Sequence, residues 1–260
     1  MRQAGLVVAD ALAKMSDTAK PGVSTADLDG IAQEVLREAG AASSFLGYDL
    51  GSGPYPGVIC ASINDRVVHG IPTDTDILRD GDVISLDFGA IVDGWHADAA
   101  VTVSVGAVAE DVAALNAAGR AALWAGVAAV QAGVRLGDVS ASIEESIRAS
   151  GDYGIVEGFG GHGIGSAMHM DPHILNYGRR GTGPELVPGM AVAIEPMLTL
   201  GGQDVRQLED GWTIATEDGS VAVHWEHTVA VLEDGPWVLT ALDGGRAELA
   251  ERGVMLSALA

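Results

Sequence analysis

The sequence predicts an α+β fold built from two similar halves, in each of which helices cover a sheet. In both halves, segments with helical spacing of apolar residues precede segments rich in Val, Ile, Leu and Thr. An internal repeat is the second indication, because residues 20–40 resemble residues 131–151 at an offset of 111 positions, as Gly22 and Gly133 illustrate. A site between two such halves would draw residues from both.

Two helices are predicted at the start of the chain. Residues 1–19 carry apolar residues at helical spacing, and Pro21 ends that helix. Ser24 is a typical N-cap residue, and Asp27, three positions later, completes a capping box for the second helix. Gly40 then closes this helix, because glycine adopts the left-handed conformation of a C-cap without strain.

The predicted strands follow the helices in each half. They are the segments 58–63, 83–92, 95–105, 190–199, 212–216 and 223–233. The tail after about Asp243 is rich in Ala and Glu, which indicates a final helix. We therefore expect a single domain over residues 1–260, with halves at about 1–107 and 108–240 and a tail at 241–260.

Composition restricts the class of protein. Hydrophobic residues make up 48% of the 260 positions, which indicates a globular chain. The net charge of −22 would repel phosphate backbones, so nucleic acid is not expected as a main partner. The longest apolar run, 121–130, is too short to span a bilayer, and the N-terminus lacks a signal-peptide pattern. With Cys60 as its single cysteine, the protein is expected in the cytoplasm, without a membrane partner.

The first chemical indication is a pair of aspartates in a predicted hairpin. Asp93-Gly94 is a strong signal for a two-residue turn. That turn places Asp87 opposite Ala100 and puts Asp98 on the same face, with the two β-carbons roughly 5–8 Å apart. Two carboxylates so close in apolar strands require a shared proton or a cation. The alternatives are that one aspartate faces solvent at the strand end, or that the register slips by one residue.

A histidine and two glutamates also lie in unusual surroundings. His162 lies in a glycine-rich segment, 160–165, that lacks the pattern of a phosphate-binding loop. Glu195 and Glu226 lie in apolar runs, where a carboxylate needs a partner. Such a glutamate more often pairs with arginine or caps a loop, but the chain has only 14 Lys and Arg against 36 Asp and Glu. Together with the two aspartates, these side chains suit a pair of Mn, Fe, Co or Zn ions about 3–4 Å apart.

Five motifs, in this order and at these spacings, resemble the methionine aminopeptidase family in its short bacterial form, type I. They are Val68-His69-Gly70-Ile71-Pro72, the hairpin with Asp87 and Asp98, 161–165 with His169, Ile194-Glu195-Pro196-Met197, and Glu226-His227-Thr228. The resemblance, over about residues 1–240, implies the pita-bread fold, with two pseudo-symmetric α/β halves, antiparallel sheets covered by helices, and the metal site between the halves. It also implies a metalloaminopeptidase that removes the initiator methionine from nascent proteins and peptides and prefers a small second residue.

The resemblance implies a site with two divalent metal ions, which would be Co, Mn, Fe or Zn. The metal ligands would be Asp87, Asp98, His162, Glu195 and Glu226. Asp98 and Glu226 would bridge the two ions, which would activate a water for attack on the first peptide bond. Glu195 would act as the general base, His169 would bond the carbonyl oxygen, and His69 would contact the scissile amide.

The methionine pocket implied by the resemblance has soft, apolar walls that suit a thioether: Phe45, Tyr48, Tyr55, Cys60, Met168 and Trp212. Ordinary core packing is the alternative for each, and from the residues alone it is preferred for Phe45 and Met168. The chain departs from the family at these two positions and in a longer loop at 49–54. For the remaining histidines, His96, His173, His224 and His227, surface or packing roles are expected, with His227 the first candidate to support a ligand.

The rival functions have different signatures. A proline-directed exopeptidase of the same fold usually carries a large extra N-terminal domain. The longer type of methionine aminopeptidase has an insertion between the positions of Glu195 and Glu226 or just before, and here these residues are only 31 positions apart. A catalytically inactive binding protein would be expected to lose ligands, and an acidic metal store would not require His69 or His169. We expect a monomer that acts on the N-termini of nascent proteins.

Overall fold

The helices lie in two pairs followed by a short C-terminal helix, in a computed structural model that describes residues 1–49 and 51–258. Within these residues the helices are α1 Arg2–Thr18, α2 Thr25–Ala39, α3 Glu110–Ala129, α4 Leu136–Ser150 and α5 Arg246–Glu251. The predicted longer loop includes Leu50, and the predicted tail includes Leu259 and Ala260. These three residues lie outside the described part of the chain.

Local capping interactions fix the ends of α2 and α4. The Ser24 hydroxyl accepts a hydrogen bond from the Asp27 N–H at 3.0 Å, and the Asp27 carboxylate accepts one from the Ser24 N–H at 2.9 Å. Gly40 ends α2 with φ of 61°. At the start of α4, the Asp138 carboxylate accepts from the Arg135 N–H at 3.2 Å. The bounds of α2 and α4 differ by the same 111 positions that relate the two sequence segments.

The strands pair in antiparallel sheets throughout the described residues. In chain order they are β1 Ala42–Ser43, β2 Ile59–Ile63, β3 Arg66–Val68, β4 Val83–Val92, β5 Trp95–Ser104, β6 Gly154–Ile155, β7 Gly161–Gly163, β8 Met170–Ile174, β9 Ala191–Ile194, β10 Met197–Thr199, β11 Val205–Gln207, β12 Ile214–Thr216, β13 Ala222–His224, β14 His227–Leu232 and β15 Gly235–Val238. One sheet joins β1, β2 and β5 to β4, and another has the order β15-β14-β9-β7-β8. Two smaller sheets have the orders β13-β10-β6 and β11-β12-β3.

The hairpin of β4 and β5 has the predicted register. Its pairs run from Val83 with Ser104 to Val92 with Trp95, and Asp87 lies opposite Ala100. Because side chains alternate along a strand, the even-numbered residues of β4 face the helices. There they pack with residues of α1 and α2 in one core, which includes Ile84, Leu86, Phe88, Met15 and Leu28. The opposite face, with Asp87 and Asp98, is left for the site.

Two predicted strands are each divided in the structure. The segment 190–199 forms β9 and β10, and the segment 223–233 forms β13 and β14. Each break coincides with a change of sheet, because β9 pairs with β14 whereas β10 pairs with β13. Pro196 lies at the first break, where it has no N–H to donate to a neighbouring strand. As a consequence Glu195 and Glu226 lie at adjacent corners between two sheets.

Helix α3 is long and apolar enough to span a membrane by length and composition alone. Half of the tested segment is buried inside the structure, however, where α3 packs against α4. Leu115 and Leu123 of α3 share a core with Ile143 and Ile147 of α4. Because the core helix of a globular protein passes the same test, α3 is weak evidence for a membrane span.

Candidate metal centre

The backbone brings Glu226 directly beside the acidic hairpin. The Glu226 N–H donates to the Ala100 carbonyl at 2.8 Å, and the Ala100 N–H donates to the Glu226 carbonyl at 3.3 Å. Thr228 makes a second link, since its hydroxyl donates to the Asp98 carbonyl at 2.7 Å and accepts from the Asp98 N–H at 3.0 Å. These bonds join residues far apart in the chain, so the position of Glu226 next to Asp98 is fixed by main-chain geometry.

His162 enters the site from β7, between two glycines that allow close packing of strands. A β-carbon on Gly161 would clash with the Ala193 carbonyl oxygen, and a β-carbon on Gly163 would clash with the Asp171 carbonyl oxygen. The Nδ1 atom of His162 lies 2.9 Å from the Gly163 carbonyl oxygen. Because a carbonyl oxygen only accepts, Nδ1 carries the proton, and the Nε2 lone pair is free to bind a metal.

The carboxylates of the site lie too deep to remain charged without a cation. Burial, followed by repulsion from neighbouring carboxylates, raises the pKa of Asp87, Glu195 and Glu226 well above the ordinary range. Burial also raises the pKa of Asp98, to about 7. The pKa of His162 is lowered to about 4, chiefly by burial, so this ring supplies no positive charge at neutral pH.

Unsatisfied oxygen atoms show that these residues fit a divalent metal. Asp87 Oδ1, Asp98 Oδ1 and Glu226 Oε1 are buried and have no hydrogen-bond partner among the residues that the structure describes. Ligand atoms of Asp98, His162 and Glu226 all lie within 4.8 Å of one another, as a shared metal requires. The Glu195 carboxylate lies 3.5 Å from His162 Nε2, on the side of the free lone pair.

All thirteen site residues predicted from the sequence line one cavity. The five acidic and histidine residues predicted as ligands form one side. The other side is the predicted methionine pocket, in which four side chains are buried together, Phe45, Tyr55, Cys60 and Trp212. Tyr48 and Met168 pack against this cluster and are partly buried. Cys60 pairs with Asp87 across the sheet, so the apolar pocket directly adjoins the acidic hairpin.

His69 and His169 lie where the cavity opens. His69 has a left-handed backbone, with φ of 60°, and its ring lies edge-on to Phe159 and Trp212 at about 6 Å between centroids. Burial lowers the pKa of His69 to about 4. The His169 ring lies edge-on to His162 with 4.4 Å between centroids, and its Nδ1 is 2.6 Å from the Tyr48 hydroxyl.

The structure adds His224, which the sequence reasoning did not favour. His224 is buried and lines the cavity, with Nε2 at 3.8 Å from a Glu195 oxygen and 3.9 Å from a Glu226 oxygen. His227, the histidine favoured from the sequence, lies outside the cavity lining. Its Nδ1 is 2.9 Å from the Thr240 hydroxyl, and its ring packs against Trp124. Sequence spacing could not have identified His224, because β13 ends at this residue and strand alternation does not continue to Glu226.

Comparisons with known proteins identify the family. The model of metallopeptidase family M24 matches residues 1–233. Methionine aminopeptidase 1 of Mycobacterium tuberculosis is 54% identical over 245 residues, which cover 92% of this chain and 91% of the relative. The crystal structure of a methionine aminopeptidase from Thermotoga maritima has a TM-score of 0.89 at 39% identity and covers 92% of this chain and 94% of that one. A Xaa-Pro dipeptidase from Bacillus anthracis shares the fold, with a TM-score of 0.71 at 24% identity, and the match covers 92% of this chain and 59% of that one.

The chain belongs to metallopeptidase family M24. It is a hydrolase of the metallo-exopeptidase class with the pita-bread α+β fold, and it binds divalent metal. The fold expected from the sequence is thereby confirmed.

Proposed function

We infer that this metallopeptidase removes the initiator methionine from the N-termini of nascent proteins and peptides. The observation that carries this function is the cavity itself, in which a buried acidic cluster adjoins a largely buried apolar pocket. The acidic side suits metal-assisted hydrolysis, and the apolar side suits a thioether side chain. Relatives with the name methionine aminopeptidase match this chain over nearly its whole length, which supports the same activity here.

We propose that the site holds two divalent ions, of Co, Mn, Fe or Zn. Asp87, Asp98, His162, Glu195 and Glu226 would hold these ions, and Asp98 and Glu226 would serve both. The short distances support this, because ligand atoms of Asp98, Glu226 and His162 all lie within 4.8 Å of one another. When bound, the ions supply Lewis acidity and a water nucleophile at neutral pH.

The remaining polar residues move protons and hold the substrate. Glu195 accepts the proton of the attacking water and delivers it to the leaving amine, a role open to a carboxylate that lines the cavity beside His162. His169 donates a hydrogen bond to the carbonyl oxygen as negative charge develops there. His69, held by its edge contacts with Phe159 and Trp212, orients the scissile amide.

The apolar pocket limits cleavage to one residue. Tyr55 and Trp212 lie edge-to-face with 5.2 Å between ring centroids, and the Tyr55 hydroxyl donates to the Ile59 and Gly70 carbonyls at 2.9 Å. These bonds make the pocket wall rigid. A methionine side chain that fills the pocket places its own amine and carbonyl at the acidic side. The acidic side of the cavity would hold this amine, so we propose that only a free N-terminal residue is cleaved, with a preference for a small second residue.

Charge and organisation support the rest of the proposal. The net charge of −22 disfavours nucleic acid and anionic membrane surfaces as partners. We propose a cytoplasmic monomer with one domain, in which residues from both halves, about 1–107 and 108–240, meet at the cavity. Asp87 and Asp98 come from the first half, and His162, Glu195 and Glu226 come from the second.

The rival functions have less support. The Xaa-Pro dipeptidase shares the fold at low identity, and the match covers little more than half of that chain. A binding protein without activity would not require the unsatisfied buried oxygens of three carboxylates, which are costly unless a metal uses them.

Hydrolysis of Met-Ala-Ser by the purified protein tests this function. We expect cleavage with added divalent metal, loss of cleavage on chelation, and loss in Glu195→Gln. Glu217→Gln, at an exposed position, is the matched control and should retain activity. Cleavage of an Ala-Pro dipeptide in preference to Met-Ala-Ser, or a fully active Glu195→Gln, would contradict the proposal.

A further inference from the structure

We propose that Tyr48 is a positioning residue that fixes the ring proton of His169 on Nε2, the nitrogen left to bind the substrate carbonyl oxygen. The inference deepens the proposed function, since it rests on the role given there to His169. The geometry that carries it is the distance of 2.6 Å between the Tyr48 hydroxyl oxygen and His169 Nδ1.

The direction of the hydrogen bond between the Tyr48 hydroxyl and the His169 imidazole determines which ring nitrogen carries the proton. A neutral imidazole has one nitrogen that donates and one that accepts, and a tyrosine hydroxyl can do either. If the hydroxyl donates to Nδ1, the His169 proton is on Nε2, which can donate to a carbonyl oxygen. If Nδ1 donates to the hydroxyl, Nε2 has only a lone pair and cannot bond a carbonyl oxygen. Only the first arrangement serves the proposed reaction.

The neighbouring histidine shows the opposite arrangement. His162 Nδ1 faces the Gly163 carbonyl oxygen, which can only accept, so the His162 proton lies on Nδ1 and its Nε2 is free for a metal. His169 Nδ1 faces a hydroxyl that can donate. The centroids of the two rings are only 4.4 Å apart. The partner of each Nδ1 atom nevertheless places the ring proton on a different nitrogen in each histidine.

The main chain holds Tyr48 in place for this role. The Tyr48 N–H donates to the Phe45 carbonyl at 2.9 Å, and the Tyr55 N–H donates to the Tyr48 carbonyl at 2.8 Å. The Asp49 carboxylate accepts from the Gly51 N–H at 2.6 Å and thereby closes the loop that follows. Tyr48 therefore lies where this loop begins. From there its side chain reaches His169, which lies 121 positions away in the chain.

Nitrogen NMR of the full-length protein loaded with diamagnetic Zn²⁺ and labelled with ¹⁵N-histidine reads the proton position directly. We expect the wild-type His169 resonances to show an unprotonated Nδ1 and a protonated Nε2, with the assignment made from their loss in His169→Gln. In Tyr48→Phe, which removes only the hydroxyl, the Nδ1 resonance should move towards the protonated value. The control Tyr177→Phe changes a tyrosine in the α3 and α4 core and should leave both resonances unchanged.

Kinetics on the same samples separate positioning from binding. Loss of one hydrogen bond should lower kcat of Tyr48→Phe about tenfold, with KM within about twofold of wild type. A protonated Nδ1 in wild type, an unchanged His169 spectrum in Tyr48→Phe, or a rise in KM with unchanged kcat would overturn the inference. If the wild type fails to cleave Met-Ala-Ser, the proposed function fails, while the spectrum still reports whether Tyr48 sets the proton on His169.

Discussion

Asp98 occupies the centre of the acidic cluster. Its carboxylate shares a face of the hairpin with Asp87 and lies within 4.8 Å of a Glu226 oxygen, and Glu226 exchanges main-chain hydrogen bonds with Ala100 in the same strand. Burial raises the pKa of Asp98 to about 7, and one of its oxygens is unsatisfied among the described residues. A cation at this position would therefore relieve the cost of several buried charges at once.

We predict that Asp98→Asn lowers metal affinity more than any other single substitution among the five proposed ligands. An amide cannot bridge two cations as a carboxylate does, so the loss should exceed the roughly 10–100-fold typical of residues that only support a ligand. Titration calorimetry with Mn²⁺ measures the affinity. Asp93→Asn, on the exposed turn of the same hairpin, is the matched control. Full metal content in Asp98→Asn would show that this residue is not shared.

We predict that His169→Ala slows turnover without loss of metal. Removal of one donor to a developing oxyanion typically costs about 10²–10³ in kcat. His169 has no place in the proposed ligand set, so the metal affinity of this variant should stay within about twofold of wild type. Calorimetry and steady-state kinetics on one sample check both values. A parallel fall in affinity and kcat would instead make His169 part of the metal site.

At the scale of single elements, α2 supports the face of the hairpin opposite the site. Leu28 of α2 and Phe88 of β4 belong to one buried core. The helix begins at a complete capping box, in which Ser24 and Asp27 exchange hydrogen bonds. Because α2 packs against α1, and α1 packs against the hairpin, the stability of α2 contributes to the geometry of the acidic pair on the other face.

We predict that Ser24→Ala lowers the free energy of unfolding by about 1 kcal/mol, the usual effect of removing an N-cap hydroxyl. Urea unfolding followed by circular dichroism measures the change. Ser150→Ala, at the exposed last residue of α4, should change the free energy of unfolding by less than about half as much. Equal effects of the two substitutions would contradict the capping account.

Elements governed by local signals could be predicted from the sequence, and the divided strands could not. The register of β4 with β5 follows from a two-residue turn and strict alternation, both of which are local. The segments 190–199 and 223–233 are both rich in apolar residues, but each changes sheet within its length. Which partner strand is adjacent is a long-range property, so apolar content alone cannot reveal the break.

The site likewise has one part that local signals predict and another that depends on long-range packing. From the residues alone, only the pair Asp87 and Asp98 could be placed together, since one hairpin holds both. The approach of His162, Glu195 and Glu226 depends on packing between distant strands, and only the resemblance to a known family anticipated it. His224 was not favoured over His227, because strand alternation is interrupted at Trp225 and the sequence does not show which histidine faces the cavity.

At the scale of the whole molecule, the buried carboxylates couple stability to pH and to metal. A carboxylate whose folded-state pKa is raised contributes stability that is complete below its unfolded pKa of about 4 and is lost as pH rises through the folded value. For Asp98 that value is about 7. Histidines with lowered pKa, such as His162 at about 4, act in the opposite sense, but only below about pH 6.5.

We predict that the metal-free protein loses stability between pH 7.5 and pH 8.5. In this window the buried histidines are almost entirely neutral in both states, and each proton held only by the folded state lowers the free energy of unfolding by about 1.4 kcal/mol per pH unit. Excess Mn²⁺ should remove this loss, because it replaces the protons on the carboxylates. Urea unfolding in EDTA and in Mn²⁺ at both pH values gives the comparison. A free energy that stays constant in EDTA would contradict it.

Convergence of side chains from both halves on bound cations is the basis of the proposed function. Crystals grown with excess Mn²⁺, measured at an energy where manganese scatters anomalously, would show those cations. We expect two anomalous peaks about 3–4 Å apart, with Asp98 and Glu226 in contact with both. Asp87, His162 and Glu195 should each contact one peak. Manganese peaks elsewhere, with these five side chains pointing apart, would contradict it.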